Sequence, residues 1–166
     1  MKKILAIILT SLILTFTAIP AVYAENTANT TMATYETNST ISTIEYFEDG
    51  SYMVTTIKQS PTARSTTYTK VGEKIVDYYD SDNNLQWTYK LIGTFNVVEG
   101  ISAVCTESTY SSEIYKSGWS LTAHNNYTSN NIAYGTATYK KKVLFITTHT
   151  QDINGSIGCD IYGNVN

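Results

Sequence analysis

Between Leu85 and Val98 apolar and polar positions alternate, with breaks at two positions only. Leu85, Trp87, Tyr89, Leu91, Gly93, Phe95 and Val97 fall on one side. Gln86, Thr88, Lys90, Thr94 and Asn96 fall on the other, with Ile92 and Val98 the only apolar members of that set. Successive side chains of a strand point to opposite faces, so the pattern predicts a strand with one face in a core. It is the longest clean period-two run in the chain, and it reads as the central strand of the domain.

Shorter runs flank it. Ile41–Phe47 and Tyr52–Gln59 enclose Glu48-Asp49-Gly50-Ser51, and Asp-Gly between alternating runs is a strong hairpin signal because Gly accepts the positive φ of a tight turn. Pro61 ends that hairpin. Ser65–Lys70 and Lys74–Tyr79 read as two short strands around a Gly72-Glu73 turn, and 80–84 as the next turn. Beyond Glu99-Gly100 the expected strands are Ile101–Tyr110, a run opening at Trp119, Ile132–Lys142 and Ser156–Ile161. Ser111–Gly118 reads as a loop. Trp119, Leu121 and Ala123 alternate with Ser120, Thr122 and His124, which places His124 on the polar face. Val143–His149 fits either a continued strand or a cover, and Asn154-Gly155 a turn or a bulge. No segment after residue 24 sustains a 3.6-residue apolar period, and Thr and Tyr, both strand formers, are abundant. The expectation is an all-β domain over residues 41–166, an antiparallel two-sheet β-sandwich. Its order Cys105, Trp119, Cys159 echoes an immunoglobulin-like arrangement, although Ile157 stands where a corner Tyr would be expected.

The N-terminus has a different pattern. Lys2-Lys3 precede an almost wholly apolar Ile4–Ile19, and Val22-Tyr23-Ala24 fits the small-residue rule of signal-peptide cleavage. The apolar run is about 16 residues, short of the roughly 20 that span a bilayer. The expectation is a signal peptide over 1–24, cleavage between Ala24 and Glu25, a flexible Thr/Asn-rich leader over 25–40, secretion, and no membrane anchor after cleavage. The chain of 166 residues carries a net charge of −3, and without Lys2 and Lys3 the remainder stands at −5. That balance excludes nucleic-acid phosphate as an expected partner. The run Lys140-Lys141-Lys142 reads as a charged strand end that discourages edge pairing.

Candidate chemistry is sparse. Asp80, Asp82 and Asn84 have the spacing of a calcium loop, but Leu85 and Leu91 stand where Gly and a bidentate Glu are needed, so turn chemistry is the reading and no metal is expected. The two histidines, His124 and His149, have no partner at a ligand or triad spacing, and no Gly-x-Ser-x-Gly elbow or phosphate-cradling loop occurs. No catalytic residue and no cofactor are expected. In an exported chain Cys105 and Cys159, on apolar-facing strand positions, read as one disulfide closing a loop of about 54 residues, worth on the order of 4 kcal/mol; two buried thiols are the alternative.

Several short stretches occur in a recognisable order: Tyr79-Asp80-Ser81, Leu85-Gln86-Trp87, Gly93-Thr94-Phe95, Cys105-Thr106, Trp119, Gly135-Thr136-Ala137-Thr138, then Cys159-Asp160 with Gly163. Over roughly its last 90 residues the chain resembles a group of small, largely uncharacterised exported proteins of Gram-positive gut bacteria. The resemblance implies an exported β-domain with the same cysteine pair and brings no activity. The functional expectation is a non-enzymatic extracellular domain that binds a cell-wall or host glycan, or a protein, through strand-borne aromatics. The alternatives are a secreted hydrolase with a non-standard carboxylate pair and a small secreted toxin or inhibitor.

Overall fold

The computed structural model describes residues 32–37, 40–61 and 65–166, the first of these as backbone. The expected signal peptide and the Ala24–Glu25 boundary lie outside the described residues. Among the described residues the chain forms nine strands: β1 Met32–Thr37, β2 Thr40–Tyr46, β3 Tyr52–Gln59, β4 Thr67–Tyr79, β5 Leu85–Val98, β6 Ser102–Ile114, β7 Trp119–Ser129, β8 Ile132–Val143 and β9 Ile146–Gly158. Strands β1–β6 make one antiparallel sheet in sequence order and β7–β8–β9 a second. The all-β two-sheet sandwich read from the sequence is the observed architecture. Its topology is a plain meander: within each sheet every strand pairs with its neighbour in sequence, so the Greek-key connections of an immunoglobulin arrangement are missing.

Strand β5 spans the Leu85–Val98 stretch singled out above, and Trp87, Tyr89, Leu91, Phe95 and Val97 are essentially inaccessible. Two glycine-bearing segments behave otherwise than expected. Gly72-Glu73 does not turn: β4 runs straight through it, with Gly72 opposite Gly93 of β5. Asn154-Gly155 lies inside β9, with Gly155 opposite Gly135 of β8. Gly72 marks a close approach, not a bend, whereas a Cβ on Gly155 would meet Lys74 Cδ at an ordinary 3.6 Å. A Cβ on Gly72 would sit 2.6 Å from Val165 Cγ1, and one on Gly135 would sit 2.5 Å from Tyr89 Oη and 2.8 Å from Leu91 Cδ1. The expected loop 111–118 is strand as far as Ile114. Met32–Thr37, within the stretch read as a leader, pairs along β2, since an edge strand needs backbone partners on one side only and little buried surface.

The core lies where β5 faces β8. Large side chains on β5 oppose the small inward positions Ala133, Gly135 and Ala137 of β8. Trp87 stacks on Tyr139 at 3.9 Å between ring centroids and 1° between planes, and on Tyr78 at 5.1 Å. Along one side polar bonds tie the sheets together: Ser108 Oγ donates to Tyr134 O at 3.0 Å, Asn126 Nδ2 to Ser108 O at 2.8 Å, and Cys105 N to Asn130 O at 2.8 Å. On the opposite side the three-stranded sheet ends at β9, and the inner face of β2 and β3 extends past it.

Gly135→Ala tests this packing. Replacing a strand glycine by alanine ordinarily gains stability through the unfolded chain. Here the added methyl collides with Tyr89 and Leu91, and urea unfolding should show a loss of about 2 kcal/mol.

Candidate functional site

Two cavities sit at the margins of this core. The first, near the β8–β9 hairpin, is about 330 Å³ and polar; Asp49, Tyr78, Asp80, Gln86, Trp119 and His149 are among its walls. A bulge at the start of β5, where Tyr79 pairs Leu85 and Tyr78 pairs Trp87, turns Gln86 inward. Its Oε1 accepts from Trp119 Nε1 at 3.1 Å and its Nε2 donates to Asp80 Oδ2 at 2.8 Å. Asp80 Oδ1 also accepts the amides of Asp82 and Asn84, at 3.1 and 2.9 Å. These donors outweigh partial desolvation and hold the Asp80 carboxyl below the usual carboxylate range. The turn chemistry read from the sequence thus accounts for Asp80 and Asn84. Hydrogen bonds from the Ser51 hydroxyl and amide lower Asp49 in the same way.

His149, which has no ligand partner near it along the chain, joins this cavity: its Nε2 lies 3.2 Å from Tyr78 Oη and its ring meets Trp119 edge-on at 5.6 Å. A glycosidase needs one carboxylic acid that keeps its proton. Asp49 and Asp80 are both shifted the other way, so this cavity offers two carboxylates and no carboxylic acid proton donor. His124 lies elsewhere. A bulge between Leu121 and Ala123 reverses the expected parity and pairs His124 with inward-facing Ala137; its ring lies 4.2 Å from Tyr110 and stays exposed.

The second cavity is a groove of about 310 Å³ on the open side of the sandwich. Its floor is one face of four adjacent strands: Thr43 and Glu45 of β2, Met53 and Thr55 of β3, Lys74 and Val76 of β4, Tyr89 and Leu91 of β5. Its wall is β9 from Asp152 to Gly155, with Ile153 turned inward. Burial lowers the Lys74 pKa, and Nζ reaches across to Ser156 O at 3.5 Å. The Tyr89 hydroxyl is buried without a hydrogen-bond partner, and desolvation lifts its pKa to about 12. Such an unmatched group costs on the order of 1–3 kcal/mol.

Strand β9 is the edge of its sheet, and the chain's own C-terminus already pairs with that edge. Gly158 N donates to Asn166 O at 2.9 Å and Asn166 N to Gly158 O at 3.1 Å, while Cys159 bridges Val165. Val165 is buried where Gly72 leaves room for it. The backbone groups of alternate residues face the same way in an antiparallel strand, so Ser156, Asn154 and Asp152 share the outward side with Gly158. Ser156 O receives Lys74; the edge at Asn154 and Asp152 borders the groove.

The cysteine expectation is corrected. Cys105 and Cys159 are both buried free thiols, too far apart to be bonded. They flank the β7–β8 turn, Cys105 N donating to Asn130 O and Cys159 N to Asn131 O. Each thiol donates instead to a nearby carbonyl, Cys105 Sγ to Glu107 O at 3.3 Å and Cys159 Sγ to Asp160 O at 3.5 Å. Cys105 lies on β6 of one sheet and Cys159 just past β9 of the other, and flanking one turn does not bring them within bonding distance. Among the described residues no cluster of three or more His, Cys, Asp or Glu is placed to hold a metal.

No protein-family model matches the chain, and neither a curated protein nor a solved structure is significantly similar to it.

Burial raises the Cys105 pKa and lifts that of Cys159 to about 11, so both are protonated at neutral pH. A thiol reagent at pH 7.5 should label neither cysteine in the native protein and both after unfolding without reductant. Tyr89→Phe removes an unmatched hydroxyl and should leave stability unchanged or raise it by up to about 1 kcal/mol in urea unfolding.

Proposed function

We propose that this chain is an exported, non-enzymatic binding domain whose groove takes an extended segment of a partner protein alongside β9. The observation that carries the reading is the chain's own Val165-Asn166, which occupies one end of that edge with a side chain buried beneath it. A partner segment would continue the same pattern. Its backbone would pair with Asn154 and Asp152, and alternate side chains would descend onto Met53, Val76 and Leu91. Main-chain pairing supplies affinity in this mode and the floor supplies selectivity. Glu45 and Asp152 against Lys74 give the groove two acidic groups and one basic one. The groove's size suits a few side chains of such a segment. Export rests on the sequence of residues 1–24 and is read by whether protein from the culture medium begins at Glu25.

The binding reading is tested with a displayed library of random peptides selected on the immobilised protein. Enriched peptides should alternate apolar and polar residues and shift the amide resonances of Asp152 and Asn154. Asn154→Pro deletes one outward amide at a strand edge, where proline is tolerated, and should reduce peptide affinity tenfold or more with the fold retained. Binding unaffected by Asn154→Pro would count against the reading. So would a selection without enrichment alongside a glycan-array signal.

A further inference from the structure

The hairpin joining β8 to β9 closes at Val143 and Ile146, leaving Leu144-Phe145 as a two-residue turn. Both turn residues have positive φ, 48° and 70°. That is the type I′ geometry, which favours Asn-Gly because any side chain beyond a short polar one is strained there. At the other positive-φ sites among the described residues the chain supplies suitable residues, Gly50, Asn83, Gly100, Gly118, Asn130 and Gly163. Here it places leucine and phenylalanine, and leaves them in water. Val143, Leu144, Phe145 and Ile146 are 52, 86, 99 and 68% exposed. Folding gains nothing from a strained turn that holds four apolar side chains outside the core, so the arrangement points to a role beyond the fold.

A second feature says what meets the tip. Lys140, Lys141 and Lys142 lead into it, and no acidic residue follows until Asp152, in a chain with an overall negative charge. Inward positions of β8 are odd-numbered, so Lys141 lies on the inner face, 5.9 Å above the Trp119 ring, and Lys140 and Lys142 lie on the outer one. At about 3.4 Å per residue the lysines stand roughly 7–14 Å behind the turn. We infer that this hairpin docks its tip into an anionic lipid bilayer. The four apolar side chains would enter the boundary between headgroups and acyl chains, a layer about 5–10 Å deep, and Lys140 and Lys142 would lie level with the lipid phosphates. Lys141 shares the polar cavity with Asp49 and Asp80, so the cations left to meet an anionic surface are Lys140 and Lys142 on the outer face. The docking is peripheral and independent of the β9 groove, which lies on another part of the molecule.

Phe145→Trp in the exported form beginning at Glu25 places a reporter at the tip, against buried Trp87 and Trp119 as background in the unsubstituted protein. Mixed phosphatidylcholine–phosphatidylglycerol vesicles with brominated acyl chains should quench and blue-shift the new emission, and salt should weaken the effect. Adding Lys140→Gln and Lys142→Gln should lower vesicle affinity about fivefold per lysine. Absence of quenching, or equal quenching by pure phosphatidylcholine vesicles, overturns the inference. So does a dimer at working concentration that Leu144→Asn/Phe145→Gly dissolves, since the tip would then belong to a second copy of the chain. That double substitution gives the turn the residues its geometry favours, so it retains the fold.

Discussion

The close approach of β5 to β8 is the constraint on which the rest of the structure depends. Bulky residues line the inner face of β5 and small ones the facing stretch of β8, and the pairing works only in that combination. Gly135 admits the Tyr89 ring and the Leu91 methyls, Gly93 lets Phe95 fold back beside Ala133, and Trp87 lies flat on Tyr139. Dispersion and burial across this contact hold Trp87 Nε1 and Tyr89 Oη in place although neither has a hydrogen-bond partner. Each forfeits its hydration for nothing in return, so the packing around them must outweigh both losses.

The remaining geometry follows from laying a three-stranded sheet on a six-stranded one. The small sheet is tied at the β6 margin through Ser108, Asn126 and the amide of Cys105. With that margin fixed and β8 set over β5, β9 falls above β4 and β5, and the inner face of β2 and β3 has nothing above it. The groove is therefore a consequence of unequal sheet widths, not of a special loop. An exposed sheet edge beside it is a hazard that proteins usually blunt. Here the C-terminal Val165-Asn166 covers one end of the edge and Lys74 engages Ser156; the stretch between them and the hairpin is left to Asn154 and Asp152.

Period-two alternation made the central strand legible to the residue, because β5 is buried along one whole face. The same logic failed wherever glycine was taken as punctuation. Gly72 and Gly155 are both strand residues; the missing side chain of Gly72 admits Val165, while Gly155 has room for one, and a sequence shows only that the side chain is missing. One bulge at Leu121–Ala123 reverses every later parity in β7, so His124 faces the inner side by register while keeping the exposure its polar setting predicts. Gln86 and His149 were passed over for a similar reason. Their roles come from a bulge and from strands distant in sequence, and no local spacing carries either. The cysteine pair was half legible. Both residues do flank one turn, but a bond depends on side-chain direction, which strand parity leaves open.

Turns separate local chemistry from other demands most clearly. The five residues from Asp80 to Asn84 and those from Asp160 to Asn164 fold alike. In each the Asp carboxylate accepts the amides two and four residues on, the Asp amide donates to the Asn carbonyl, and the fourth residue, Asn83 or Gly163, takes the positive φ. Both aspartates are held below the ordinary carboxylate range by those donors against partial desolvation, and each turn is closed by bonds among its own five residues. The β8–β9 turn has no such internal logic. Register across β8 and β9 forces a two-residue connection, and the flanking pairs hold Leu144 and Phe145 in a backbone conformation that their side chains disfavour. A substitution to Asn-Gly would relieve the strain and remove two large apolar groups from water at the same time. That the chain has neither relief, in a molecule that follows the turn rules elsewhere, separates what the fold requires of this hairpin from what its tip is for.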